Sequence, residues 1–274
     1  MEKFLWDSQL SVFTLRGEDS RKFLHGQTTA DIINAKEGSL FHSCWLNPVG
    51  NLKALLEIEI SNETVSFILL AGDTKEVLDG LEKVIFISDK VEIFISHQIR
   101  RVQVISFDKS WKSTKPKWIS LDDSYSQEYD KYKILNKENI MEWKIRQGFP
   151  SSLYELDGKI NPLELGLTDL IDFSKGCFLG QETIAKVNNI GKLKYKLKFF
   201  MSDTLIDPGQ AILAKIDNFN RVEKVGIATS AMPIDDLFIG LALIRNKFLS
   251  LDEIQLTDSI GKLKLSTPIG FNSI

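Results

Sequence analysis

The 274-residue chain holds two cysteines, Cys44 and Cys177, and three histidines, His25, His42 and His97. The cysteines lie far apart and match no metal-ligand spacing, which argues against a disulfide framework and against a metal site built from protein ligands alone. No apolar run approaches the ~20 residues that a membrane helix needs. The opening segment, MEKFLWDSQLSVFTL, has neither the apolar core of a secretory signal nor the arginine content of a transit peptide, so a cytoplasmic protein with no membrane contact is expected. Positive charge is not in excess: the formal net charge is −3, which gives no general electrostatic reason to bind nucleic acid. The local run KLKYKLK, residues 192–198, is basic, yet its alternation of Lys with Leu and Tyr fits a half-buried strand better than a phosphate-binding patch.

What is present suits a soluble chain long enough for two cores, with 43% hydrophobic and 26% charged residues. Val12 and Thr14 lie in a strand that ends at Gly17, and GEDSRKFLHG then predicts a short helix closed by Gly26. Further strands flank NPVGN, residues 47–51, a hairpin turn signal. DTKEVLDGLEKVIF places Val77, Leu78, Leu81, Val84 and Ile85 at helical spacing. VEIFISHQIRRVQVISF returns to strand. Residues 108–136 are polar and predict irregular connections around one or two short strands. KENIMEWKIRQG predicts a helix stopped by Gly148, with Pro150 behind it. A helix starts again near Gln181. Beyond Lys192, short strands with turns at DPGQ, DNFN and AMPIDD predict a small antiparallel barrel or sandwich. The boundary falls near Ile190, giving regions 1–190 and 191–274.

The chemistry concentrates in KGCFLGQE, residues 175–182. Gly176 and Gly180 bracket Cys177 and Phe178, which lets the backbone take conformations closed to other residues and approach a ligand. A helix starting at Gln181 sets its positive end within a few residues of the thiol. Together with Lys175, that end would lower the pKa of Cys177 below the reference ~8.5, and it would equally suit a ligand carboxylate. Read from residue chemistry alone, Cys177 is either such a thiol or a small buried hydrophobe. No histidine is near it in sequence, and His25, His42 and His97 are read as structural hydrogen-bonders.

KGCFLGQE resembles the signature of the YgfZ family, folate-binding relatives of the glycine-cleavage T-protein, Lys-Gly-Cys-Tyr/Phe-x-Gly-Gln-Glu. The resemblance extends over most of the chain. RGEDSRKFLHGQTTADI is similar to the family's N-terminal segment at Gly17, Asp19, Phe23, Leu24, Gly26, Gln27, Thr29 and Asp31. IRQGFP resembles the stretch preceding the signature, NPLELGL resembles the T-protein's Pro-Leu-Glu-x-Gly-Leu, and KVGIATSAM with GLALIR resembles the C-terminal barrel. Two positions depart from the pattern. Lys186 stands where the family usually has Arg, which keeps the charge and loses the guanidinium fork. GNLKALLEI, residues 50–58, has Ala54 and Leu55 where the T-protein has the acidic pair needed for aminomethyl transfer. Glu57, three residues beyond Ala54 on the same strand, points to the opposite face from it.

The resemblance implies an α+β T-protein-like fold with a C-terminal antiparallel β-barrel, and tetrahydrofolate or a related folate as cofactor. It implies an accessory role in iron–sulfur cluster assembly or repair, with carrier or client proteins as partners. Cys177 and Lys175 are the reactive pair in this reading. Gly176, Phe178, Gly180, Gln181 and Glu182 form the ligand-facing loop, Trp143 is a candidate wall for the pterin, and Arg146 is a candidate for the tail carboxylate. Each of the last four has a structural alternative: core packing for Trp143, a surface ion pair for Arg146, and helix-start hydrogen bonding for Gln181 and Glu182. Two other functions remain open, a folate-dependent one-carbon transferase or demethylase with a different acid or base, and a protein scaffold without folate.

Overall fold

The computed structural model describes residues 2–62, 64–123, 127–215, 222–256 and 261–271. Its first sheet is built from β1 (Phe4–Arg16), β2 (Leu40–Leu46), β3 (Leu52–Ile60), β4 (Thr64–Ala71), β5 (Glu92–Ile105), β6 (Lys117–Ser120) and β7 (Lys133–Ile134). The order is β2-β3-β4-β1-β5-β6, antiparallel throughout, with β7 parallel beside the start of β1. NPVGN forms the β2–β3 hairpin as expected, with Gly50 at φ +78°.

Successive side chains of a strand face opposite ways, and β3 shows the result. Ala54, Leu56 and Ile58 pack with Phe13, Leu15 and Phe67 under α1 (Ser20–Gln27) and α2 (Thr74–Glu82), through Leu24, Val77 and Leu81. Leu55 faces the other way, into the main core with Trp6, Leu46, Trp143 and Phe149. The α2 helix starts where Asp73 accepts a hydrogen bond from Glu76 N at 2.7 Å, a side-chain cap for an amide left free by the helix. Helix α1 runs through Gly26 to Gln27, so the glycine expected to close it lies inside it.

Helix α3 (Lys137–Gln147) closes the main core. Asn136 caps its start, and Gly148, at φ +66°, ends it as the sequence predicts. It is followed by α4 (Leu153–Leu156), a single turn that periodicity does not resolve, and by α5 (Gln181–Ile190).

The second sheet comprises β8 (Tyr195–Ser202), β9 (Ala211–Lys215), β10 (Val222–Ile234), β11 (Leu237–Arg245), β12 (Glu253–Gln255) and β13 (Lys262–Ser266). Its order is β12-β13-β8-β11-β10-β9, and a bridge between Ala214 and Leu256 joins its two ends into a nearly closed barrel. Within KLKYKLK, Leu197 is buried while Lys196 and Lys198 are half-buried, the pattern of a solvated strand. The barrel interior holds Phe200, Ile212, Val225, Ala242 and Ile244. On its other face Leu197, Phe199, Leu241 and Leu243 share the main core with Trp6 and Trp143. The turn expected at DNFN lies outside the described residues.

Candidate functional site

Three segments far apart in sequence are joined around KGCFLGQE. Lys175 is buried, and its Nζ donates to the carbonyl oxygens of His25 at 2.5 Å, Thr28 at 2.7 Å and Ala30 at 2.8 Å. Three carbonyls match the three donors of an ammonium group. The same two segments are tied by Leu179 N to Gly26 O at 2.9 Å and by Asp172 N to Thr29 O at 2.9 Å. Gly180, at φ +79°, stands back to back with the NPVGN hairpin: a Cβ there would lie 2.7 Å from Gly50 Cα and 2.9 Å from Asn47 O. Glycine is required at this position for both the φ and the close approach.

The loop so held presents Cys177 and Gly176 to solvent and buries Phe178 beneath the Lys175 ammonium, 5.1 Å from the ring centroid. Gly180 precedes the first residue of α5, and Gln181 Oε1 accepts from Phe178 N at 3.2 Å. Glu182 is exposed in the first turn. Cys44, by contrast, is fully buried, and burial pushes its thiol up to about 12, opposed by the Thr29 hydroxyl and Lys112. Burial also draws Lys175 down to about 8, against the charges of Asp31 and Asp172.

A histidine does reach this loop. His25 of α1 is buried, and its Nδ1 lies 3.3 Å from Ile32 N and 3.4 Å from Asp31 Oδ1. Its Nε2 lies 3.6 Å from where a Cβ of Gly176 would stand. Burial, then the charge of Lys175, lowers its pKa. Nothing local in the sequence signals this approach, because His25 and Gly176 meet through the Lys175 clamp and the backbone ties beside it.

A second polar centre lies inside the first sheet. Glu57, fully buried on β3, faces the same way as Leu55 and pairs across the strand with His42, whose Nε2 is 2.9 Å from Oε2. Arg101 of β5, also fully buried, donates to Glu57 from Nε at 3.0 Å and from Nη2 at 2.7 Å, and Nη2 reaches Gln103 Oε1 at 2.8 Å. Trp118 Nε1 of β6 donates to Glu57 Oε1 at 2.6 Å. In a flat sheet β3 and β6, four places apart at ~4.8 Å per strand, would be roughly 19 Å distant. The sheet therefore curls on itself, and Glu57 staples its two sides. Between the edges, His42, Phe41, Lys112 and Pro116 line an open cleft of ≈ 490 Å³. Burial opposes ionisation of Glu57, yet the Arg101 charge and the hydrogen bonds from His42 and Arg101 hold its carboxyl down to about 2.

Trp143 is fully buried, donates from Nε1 to Ser106 O at 2.9 Å and packs edge-on against Trp6. Arg146 pairs with Glu142 at 2.7 Å and lies 5.8 Å from the Phe199 ring centroid. Its neighbour Lys144, which the sequence did not single out, sits over the rings of Trp6 and Phe149 at 5.2 and 5.1 Å. Burial, then the Arg101 charge, lowers Lys144 to about 8. Ala54 and Leu55 are fully buried apolar side chains, packed on opposite faces of β3. Among the described residues no group of His, Cys, Asp or Glu could hold a metal ion, and no helix is long and apolar enough to cross a membrane.

No family model matches the chain. It is 25% identical over 272 residues to an uncharacterised protein of Haemophilus influenzae, covering 94% of this chain and 95% of that one. It is 28% identical over 249 residues to the tRNA-modifying protein YgfZ of Colwellia psychrerythraea, covering 74% and 72%. The corresponding protein of Aliivibrio fischeri strain MJ11 is 22% identical over 294 residues, covering 96% and 91%. In structure, the glycine cleavage system aminomethyltransferase T of Bartonella henselae superposes with a TM-score of 0.75 over 99% of this chain and 86% of that one, at 13% identity. That superposition bears out the α+β T-protein-like fold with its C-terminal barrel, and the sequence relatives bear out the resemblance of this chain to YgfZ-type proteins.

Proposed function

We propose that the chain binds tetrahydrofolate and acts as an accessory protein in the assembly or repair of iron–sulfur clusters, with Cys177 as an exchange-competent thiol. The observation that carries this reading is the contrast between the two cysteines: Cys44 is sealed in the core, whereas Cys177 is exposed on a loop clamped by Lys175 and by the Gly50–Gly180 contact. A loop held this firmly around a free thiol presents one reactive atom in a set position. Gly176 leaves the approach to the sulfur open. Phe178, Gly180 and Gln181 shape the loop, and Glu182 is free to meet a ligand. One exposed thiolate supplies one of the four that a cluster takes, so the others come from a carrier or client protein.

In this reading the folate enters the interior beneath α3. That interior brings together the buried rings of Trp6, Trp143 and Phe149, beside a buried Arg101 nitrogen, Nη1, with no partner among the described residues. In this reading Trp143 backs the pterin through Trp6, and Arg146 meets the glutamate tail by exchanging Glu142 for a ligand carboxylate. The relatives named as tRNA-modifying proteins fit an indirect effect on tRNA through a client enzyme, since this chain's formal charge of −3 offers no general attraction for phosphates. Aminomethyl transfer itself is not proposed, because Ala54 and Leu55 provide no carboxylate.

Anaerobic calorimetric titration with tetrahydrofolate tests the first half, with micromolar or tighter binding expected. No heat, confirmed by a second binding assay, would refute it. Cys177→Ser tests the second half. The variant is expected to fold and bind folate as the parent does, while the iron–sulfur enzymes of cells that depend on it lose activity. Full activity of those enzymes would rule out the thiol role.

A further inference from the structure

We propose that the cleft between the two edges of the first sheet is a second ligand site, built on His42 and Lys112 and suited to the phosphate group of a small phosphate ester. The cleft, of ≈ 490 Å³, runs between β2 and the segment that leads into β6, and neither α3 nor the barrel lines it. His42 and Lys112 meet there over one buried indole. The ring centroids of His42 and Trp111 are 4.9 Å apart in an edge-on contact, and Lys112 Nζ lies 5.7 Å from the same indole. Only 11% of the Lys112 side chain is exposed, so its ammonium is held at the cleft and does not range through solvent.

Glu57 aims the imidazole. Its carboxylate lies 2.9 Å from His42 Nε2 and is kept ionised by Arg101, and an ionised carboxylate only accepts hydrogen bonds. Nε2 therefore carries the proton of the neutral ring. Nδ1, which has no partner among the described residues, keeps its lone pair on a ring that lines the cleft. Arg101 already donates to both oxygens of Glu57 and Trp118 to one, so the contact orients the imidazole more than it satisfies the acid. A ligand in the cleft meets an acceptor at Nδ1 and a cation at Lys112, with the exposed Lys115 beside them. A monoprotonated phosphate ester carries what both require, an O–H for Nδ1 and charged oxygens for the lysines, whereas a carboxylate at neutral pH has no proton to donate. Phe41, Pro116 and Leu170 wall the space for the esterified body. Asp169 holds Lys112 at 2.9 Å, and this carboxylate, 66% exposed, is the group that an incoming phosphate displaces. Asp31 and Asp172 line the adjoining hollow, which sets the phosphate at the Lys112 end. The site stands independently of the folate and thiol readings.

The test is a titration of the full chain with methyl phosphate at neutral pH and constant ionic strength, read from the His42 ring signals in long-range proton–nitrogen NMR spectra. Methyl phosphate is expected to move the His42 Nδ1 signal saturably and to leave His97 unmoved, while acetate moves neither. Lys112→Met is expected to weaken binding about tenfold or more. Asp169→Asn, a change at an exposed position, is expected to tighten it about threefold or more, because the competing carboxylate is gone. A His42 signal that methyl phosphate leaves unmoved in the parent refutes the site, whether or not the variants fold. Saturation by acetate with equal affinity would overturn the choice of phosphate. Binding to Asp169→Asn no tighter than to the parent would overturn the placement at Lys112.

Discussion

Replacing Arg101 by Met is expected to destabilise the protein by about 3–5 kcal/mol, the largest single effect among buried polar groups here. The substitution keeps volume and leaves the Glu57 carboxylate fully buried without its cation. His42 and Trp118 remain as donors, but neither brings a permanent charge, and the curl of the first sheet loses its staple. Urea denaturation of the parent, Arg101→Met and the double variant Glu57→Leu with Arg101→Met checks this. The double variant is expected to regain most of the loss, since an apolar pair leaves no uncompensated charge. A single variant within 1 kcal/mol of the parent would show that the pair does not hold the sheet.

The same carboxylate sets an acid limit. Its folded pKa of about 2 lies below the ~4.3 of an unfolded Glu, so the unfolded chain binds more protons between these values and stability falls as pH drops through them. The stabilisation is present above pH ~4.3 and is lost as the pH falls toward 2. Glu57→Gln is expected to flatten the stability profile between pH 4.3 and 2, while the parent loses stability there.

Gly180→Ala is expected to cost about 2–5 kcal/mol and to disturb the loop that carries Cys177. A left-handed backbone costs an L-residue about 1–2 kcal/mol, and the new methyl would press on Gly50 Cα and Asn47 O, which are backbone atoms that cannot turn aside. Gly191 is the internal control. It has a similar φ, +65°, but open space where a Cβ would stand, so Gly191→Ala should cost about 1–2 kcal/mol only. Hydrogen exchange across residues 175–182 and 47–51 reads the local effect: protection should fall in both segments for Gly180→Ala and in neither for Gly191→Ala. Equal costs for the two variants would mean that the hairpin and the signature loop are not braced against each other.

Much of this architecture is legible without coordinates. Alternation in VEIFISHQIRRVQVISF marks β5, and the spacing of Val77 and Leu81 marks α2. Gly148 ends α3, and NPVGN turns the first hairpin. These signals are local, because helix period, strand alternation, caps and turns are set by neighbours within a few residues. Where they mislead, the cause is also local: Gly26 has an ordinary helical conformation, so α1 continues through it. KGCFLGQE likewise declares a glycine-flanked thiol ahead of a helix start.

The sequence by itself thus determined most of the elements, the glycine-flanked cysteine ahead of a helix start and the absence of an acidic pair at Ala54 and Leu55, whereas the exposure of Cys177 is a property of the folded loop. Only the tertiary structure decided what those elements bring together. Lys175 clamps carbonyls up to 150 residues away, and His25 arrives beside Gly176 as a consequence. Glu57 does face away from Ala54, as strand alternation requires, but which partners await it there depends on the curl of the sheet. Its partners Arg101 and Trp118 lie 44 and 61 residues along the chain, on strands that are not its neighbours in the sheet. No periodicity encodes such distances, because they arise from strand order and twist acting over the whole sheet.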